Sequence, residues 1–226
     1  MKTIYTLVLL FVTIFPFAQN VPIDFELGGN GLNWTWTTFE NDTNPALEIV
    51  ANPDPSGINT SATVAKFTAL QTGQPWAGCE SMHGSDIGSF AFNNNNCTVS
   101  IMVWKSVISD VGIKFVDATS AAQPEIKIAN TLINQWEKIT FDFSSRIGVF
   151  PITKDQIVIF PDFDLGGRSQ DNIIYFDNVY GAYSNTAFEK YKLSELIVSH
   201  NPSKDLFNIS IKNFNGNITN EIYDLK

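Results

Sequence analysis

The chain has 226 residues, of which 44% are hydrophobic and only 16% charged, and its formal net charge is −9. An acidic balance of this size argues against nucleic acid and other polyanions as partners, because phosphate contacts need clustered Lys and Arg. Sparse charge with many Gly, Asn, Thr, Phe and Ile is the composition of an all-β exported module.

Met1 and Lys2 open an uncharged, mostly apolar run that ends in "FPFA" before Gln19. This pattern reads as a secretory signal peptide over residues 1–18, cut after Ala18. The run is shorter than the roughly 20 residues a membrane helix needs, and no later stretch approaches that length. The expectation is a secreted protein with no transmembrane segment, and without a Cys at the cleavage point to carry a lipid. Loss of Lys2 with the leader makes the charge −10, which suits a neutral ligand.

Strand-like runs then recur between turn signals: "IDFEL", "ALEIVA", "SATVAKFTAL", "CTVSIMVW", "VGIKFVD", "PEIKIA", "WEKITFDFS", "QIVIFPDF" and "IIYFDNVYG". None of this shows a sustained helical period. Nine or more strands with polar connections predict two stacked antiparallel sheets, a jelly-roll β-sandwich over residues 19–182. Cys79 and Cys97 enclose seventeen residues, and in an oxidising space they are expected to form a disulfide worth about 3 kcal/mol; two buried free thiols are the competing reading. In the last run, period two places Asp177 on one strand face with Tyr175 and Val179, so a wet surface, a basic group or a metal ion has to accommodate its charge.

Residues 183–194, "YSNTAFEKYKLS", read as a linker, and 195–226 as a small, incomplete β-rich unit too short for a core of its own. Its text has His200-Asn201-Pro202, Lys204-Asp205, Leu206-Phe207-Asn208-Ile209 and Ile222-Tyr223-Asp224-Leu225. This series resembles the sorting domain of type IX secretion in Bacteroidetes, with His200 in place of the usual Pro and without the second half. The resemblance implies a truncated sorting domain and the type IX machinery as a partner.

Residues 22–182 carry "DFE" at 24–26, "NPDPSGINTS" at 52–61, "PWAG" at 75–78, "WEKITFDFS" at 136–144, "IVIFPDF" at 157–163 and "YFDNV" at 175–179. In this order they resemble the β-sandwich carbohydrate-binding modules of glycan-degrading bacteria, with a galactose-binding-like jelly roll. The resemblance implies a structural Ca²⁺ held by Asp24, Glu26 and Asp177, which would tie the first strand to the last. Oxygen ligands of this kind suit calcium.

A glycan site combines aromatic faces with a few directed polar groups. Trp76, in the loop "TGQPWAGCE", and Trp104, on the strand face opposite Val99, Ile101 and Val103, are the candidate stacking platforms. Glu80 and His83 beside Trp76, and Asp162, Asp164 and Arg168 in "FPDFDLGGRSQD", are the candidate hydroxyl contacts. Trp136 is assigned to the core, and Trp34 and Trp36 to one strand face. Gly-x-Ser-x-Gly and His-Glu-x-x-His are both absent, and only Asp162 and Asp164 offer a carboxyl pair for hydrolysis. The expected function is a secreted, monomeric, non-catalytic module for a neutral polysaccharide, with β-glucan the first candidate. A surface adhesin and a glycan hydrolase or lyase are the alternatives.

Overall fold

The computed structural model describes residues 22–181, 196–201 and 206–211. The signal peptide, the linker and the "IYDL" run all fall outside these residues. Along the chain the strands are β1 (Thr37–Phe39), β2 (Glu48–Ala51), β3 (Thr63–Ala69), β4 (Gly78–Glu80), β5 (Phe90–Ala91), β6 (Thr98–Lys105), β7 (Asp110–Val116), β8 (Ile126–Ala129), β9 (Trp136–Asp142), β10 (Thr153–Lys154), β11 (Gln156–Phe163), β12 (Asn172–Gly181), β13 (Leu196–Asn201) and β14 (Leu206–Ile211). Among the described residues the one helical element is a 3₁₀ turn at Ser144–Arg146, and no helix there is long and apolar enough to cross a membrane.

Two five-stranded antiparallel sheets form the sandwich. The front sheet runs β1-β4-β11-β7-β8 and the back sheet β2-β3-β12-β6-β9, with β10-β5 a small separate pair. Alternation explains the packing. Cys79, Val111, Ile113, Phe115, Ile157 and Ile159 from the front sheet meet Phe67, Ile101, Val103, Ile139, Phe141, Ile174 and Phe176 from the back sheet in one core. Full burial of such side chains stabilises by about 1.5–3 kcal/mol each.

Three expectations change. Cys79 and Cys97 are free thiols, both buried in the core, so the expected disulfide is not formed. Burial pushes the Cys79 thiol far up, with the Glu80 charge adding to the effect. "IDFEL" is not a strand, because Phe25 has φ 53°, unusual for a bulky residue. Its ring is fully buried against Trp36 and Phe176, at 5.8 and 5.6 Å, and Thr63 Oγ1 donates to its carbonyl at 2.7 Å. Trp136 is buried, but on the outer side of the back sheet, where its indole Nε1 donates to Asp54 O at 2.8 Å and Asn52 Oδ1 at 3.2 Å. Residues 52–61 therefore lie over part of that face.

The chain divides into two compact units, Met1–Ser184 and Asn185–Lys226. In the second, β13 and β14 pair antiparallel, with His200 opposite Phe207.

Candidate functional site

A sheet face turned away from the core is normally polar, yet the front sheet has a second apolar cluster there: Val116, Val158, Phe160 and Phe163, with Phe39 packed against them. Register puts them on this face. Inward-facing Ile157 and Ile159 alternate with Val158 and Phe160, and Phe160 lies opposite Gly112 on β7. Gly78 on β4 flanks the ring from the other side. A Cβ at Gly112 would meet Phe160 Cδ2 at 3.1 Å, and one at Gly78 would meet Phe160 Cδ1 at 3.2 Å. The two glycines thus let the phenyl ring lie low across three strands. Phe39 and Phe163 stand edge-to-face with it at 5.7 and 5.8 Å.

Polar groups surround these rings. Lys114 Nζ is 5.4 Å from the Phe160 centroid and Lys127 Nζ 3.9 Å from that of Phe163. Lys127 also approaches Glu125 at 3.8 Å, and Glu80 lies opposite Val158 and Thr37. Acids and bases thus alternate, and the face has no strong charge of either sign.

Trp76, 41% exposed, stands two residues before Gly78, at the start of β4 between β1 and β11. The Pro75 carbonyl beside it accepts from the Asp164 amide at 3.1 Å, which brings the loops of Trp76 and Asp164 together. Asp164 itself closes a turn by accepting from the Gly166 amide at 2.8 Å. His83 Nδ1 is 2.7 Å from the Asp155 carboxylate, so its ring is oriented by the acid that stands between β10 and β11.

Asp162 and Arg168, expected to meet sugar hydroxyls, instead turn inward. Their side chains are 0% and 1% exposed, and Arg168 Nε donates to Asp162 Oδ2 at 2.8 Å. The guanidinium also donates to the carbonyls of Asp162 at 2.6 Å and Gln74 at 2.9 Å. Asn172 Nδ2 donates to Asp162 Oδ2 at 2.9 Å, and Ser109 Oγ donates to Oδ1. Lys105 Nζ stands 3.5 Å from the same oxygen. Burial pushes the Asp162 carboxyl up, but Asn172, Lys105, Ser109 and Arg168 together outweigh it and leave the pKa below the ordinary value. Lys105 is lowered to about 8, chiefly by burial. A buried charge needs this degree of pairing, so the cluster is architectural.

Trp104 lies on the other side of the molecule, on the outer face of the back sheet beside Tyr175, with ring centroids 5.6 Å apart. The structure therefore separates the two predicted tryptophans. Phe39, Phe160, Phe163, Lys114, Lys127 and Tyr175 were not singled out by the sequence.

The proposed calcium ligands come partly together. Ile23 exchanges two backbone hydrogen bonds with Val179, at 2.8 and 3.0 Å, which joins the chain's first described segment to β12. Asp177, 0% exposed on β12, accepts from the Asn178 amide at 2.7 Å. Burial raises its pKa to about 6; Ser61, Asn178 and Asn59 oppose this, and the nearby Asp24 charge adds to it. Asp24 Oδ1 accepts from the amides of Asn30 at 3.1 Å and Glu26 at 3.2 Å, while Glu26 Oε1 accepts from the Thr63 amide at 2.8 Å. The positive φ at Phe25 removes the shared strand face expected for Asp24 and Glu26. Among the described residues no three acid, His or Cys side chains converge as a ligand set.

No protein-family model and no curated protein matches the chain. In fold it is similar to the xylan-binding domain CBM22-1 of Xyn10C from Paenibacillus barcinonensis, at 14% identity and TM-score 0.43, over 71% of this chain and 92% of that one. It is also similar to a family 29 carbohydrate-binding module, at 10% identity and TM-score 0.44, over 71% and 89% of the two chains. An exo-β-agarase gives 8% identity and TM-score 0.48, over 76% of this chain and 26% of the enzyme.

Proposed function

We propose that the sandwich is a secreted, non-catalytic module that binds a neutral polysaccharide on the outer face of its front sheet. The observation that carries this reading is the half-buried Phe39 ring on a face directed away from the core, backed by Phe160 and Phe163, which are only 3% and 8% exposed, and bordered by Lys114, Lys127, Glu80 and Glu125. A pyranose stacks its C–H side on Phe39 and on the exposed Trp76, with the buried Phe160 and Phe163 holding Phe39 in place, while its hydroxyls meet both donors and acceptors. Balanced charge favours a neutral chain, with β-glucan the first candidate. Trp76 extends the aromatic surface at the start of β4, next to the Asp164 loop. Hydrolysis through Asp162 and Asp164 is disfavoured, because Asp162 is locked in buried ion pairs and cannot reach a glycosidic bond.

The reading includes a calcium ion at the corner where Ile23 meets Val179. A buried Asp177 with a second acid, Asp24, acting on it is a site short of positive charge, and both supply the hard oxygens calcium takes. Glu26 stands aside on the Thr63 amide. Export through the type IX machinery, implied by the text of residues 195–226, belongs to the same proposal.

Affinity electrophoresis of the full chain against soluble β-glucan, xylan and β-1,4-galactan tests the reading. Retardation by one of these, weakened in Phe39→Ala, Trp76→Ala or Glu80→Gln, supports it. Retardation by none overturns it in favour of an adhesin, and release of reducing ends or unsaturated products would establish an enzyme instead.

A further inference from the structure

The back sheet also has an outer face, and its register assembles one row of side chains across all five strands. Glu48 lies opposite Lys66, Lys66 opposite Tyr175, Tyr175 opposite Trp104 and Trp104 opposite Trp136. These residues are far apart in sequence, so only the pairing of β2, β3, β12, β6 and β9 places them in line. We infer that this row is a second saccharide-binding platform, so that one chain engages two glycan strands on opposite faces; the inference rests on the polysaccharide-binding reading above and takes the same ligand class.

Three features argue for a neutral glycan as the occupant. First, Trp104 and Tyr175 are both half-buried, leaving part of each ring accessible, and their planes cross at 77° with centroids 5.6 Å apart. A perpendicular pair gives a floor for stacking and a wall beside it, the arrangement a pyranose with one apolar side can use. Second, the row is rigid. Trp136 is buried at one end and anchored by Asp54 O and Asn52 Oδ1, and Trp104 packs in the register position beside it. Third, the far end is polar without being charged overall, since Lys66 Nζ bonds Glu48 Oε1 at 2.8 Å. That closed ion pair offers both donors and acceptors to hydroxyls, whereas an acidic or basic ligand would have to break it.

The spacing also fits. Adjacent strands stand about 4.8 Å apart, close to the advance of one sugar ring in an extended β-linked chain. A glycan lying across the strands would therefore bring successive rings over Lys66, Tyr175 and Trp104, ending where Asn52 and Asp54 cover the buried Trp136. Two sites on opposite faces cannot share one short oligosaccharide, so their separate occupancy is measurable, and with long polymers the module becomes a cross-linker.

Isothermal titration of the full chain with hexasaccharides of β-1,4-glucan, xylan and β-1,4-galactan, together with turbidity of mixtures with the soluble polymers, tests the inference. The expected result is two sites per chain, falling to one in Phe39→Ala, which removes a front-face ring, and to one in Trp104→Ala. Both variants should lose polymer cross-linking while keeping one-site binding. Lys66→Glu, which leaves every ring in place and opposes Glu48, should weaken the second site alone and guards against a Trp104→Ala chain that fails to fold. One site per chain, abolished by Phe39→Ala and untouched by both Trp104→Ala and Lys66→Glu, would overturn the second platform and leave the front-face reading standing. Binding by none of the glycans would overturn both.

Discussion

Asp177 is fully buried on the outer face of the back sheet, and its carboxyl is raised to about 6. The sign of its effect on stability follows from comparison with an unfolded Asp near 3.9. Below about pH 4 the group is neutral in both states and its contribution is intact. As pH rises towards 6 the unfolded chain gives up its proton first, so the native state loses stability by about 3 kcal/mol across that window. The depressed carboxyls, such as Asp162, act in the opposite sense, and their contribution is lost only as pH falls below the ordinary carboxylate range. Asp177→Asn keeps the shape and an oxygen for the Asn178 amide while removing the charge. In metal-free buffer it should melt higher than the parent at pH 7 and close to it at pH 4. Equal melting temperatures at pH 7 would show that the carboxylate is not isolated. The sequence draws attention to this residue, because a charge amid Tyr, Phe and Val is visible in one strand. It did not flag Asp162 or Arg168 as buried, since a Gly-bearing loop with charges resembles a solvated one and their partners Lys105 and Ser109 lie more than fifty residues away.

At the scale of the element, the Asp162 cluster holds strand ends together. Arg168 reaches the Gln74 carbonyl from the loop after β11, so it fixes the approach to Trp76. Arg168→Met leaves Asp162 and several carbonyls without their partner and should cost about 3–5 kcal/mol in urea unfolding. Lys105→Met should cost less than about 1 kcal/mol, because Asp162 keeps Arg168 and Asn172 and the desolvation that depresses Lys105 is relieved. If the two variants lose stability equally, Lys105 is a true partner and not a surplus cation. The front-sheet glycines give a second ordered pair. A Cβ at Gly78 would sit 2.5 Å from the Ile159 carbonyl oxygen, a backbone atom that cannot yield, whereas at Gly112 the nearest atom is a Phe160 ring carbon at 3.1 Å. Gly78→Ala should therefore destabilise by about 1–3 kcal/mol, and Gly112→Ala by less, as read from thermal unfolding. Most strands were legible, β3, β6, β7, β9, β11 and β12 among them, because each is a β-branched or aromatic run between turns. The front-face cluster was not. "QIVIFPDF" is apolar at nearly every position, so its text cannot show that Val158 and Phe160 turn away from the core that takes Ile157 and Ile159. Only the register against Gly112 reveals it.

For the whole sandwich, the question is what holds the two ends of a long antiparallel chain side by side. Two backbone bonds between Ile23 and Val179, the buried Phe25 ring and the Thr63 contacts with Phe25 and Glu26 already do part of this. The thiols add nothing covalent, and the free pair at Cys79 and Cys97 leaves the core as the main tether between the sheets. Asp24 and Asp177 meet at the same seam with an unfavourable interaction between their charges. A divalent cation there would convert that repulsion into attraction and bind the folded chain only, so stability should rise with its concentration as RT ln(1 + [L]/Kd). Millimolar calcium should accordingly raise the melting temperature of the parent, and EDTA should reverse the rise. In Asp177→Asn calcium should produce no rise, although that variant starts higher in metal-free buffer. A calcium-dependent rise that survives in Asp177→Asn would place the ion elsewhere. No rise in the parent would mean that the seam is held by its backbone pairs and aromatic packing alone, with Asp177 tolerated at a standing cost to stability above pH 6.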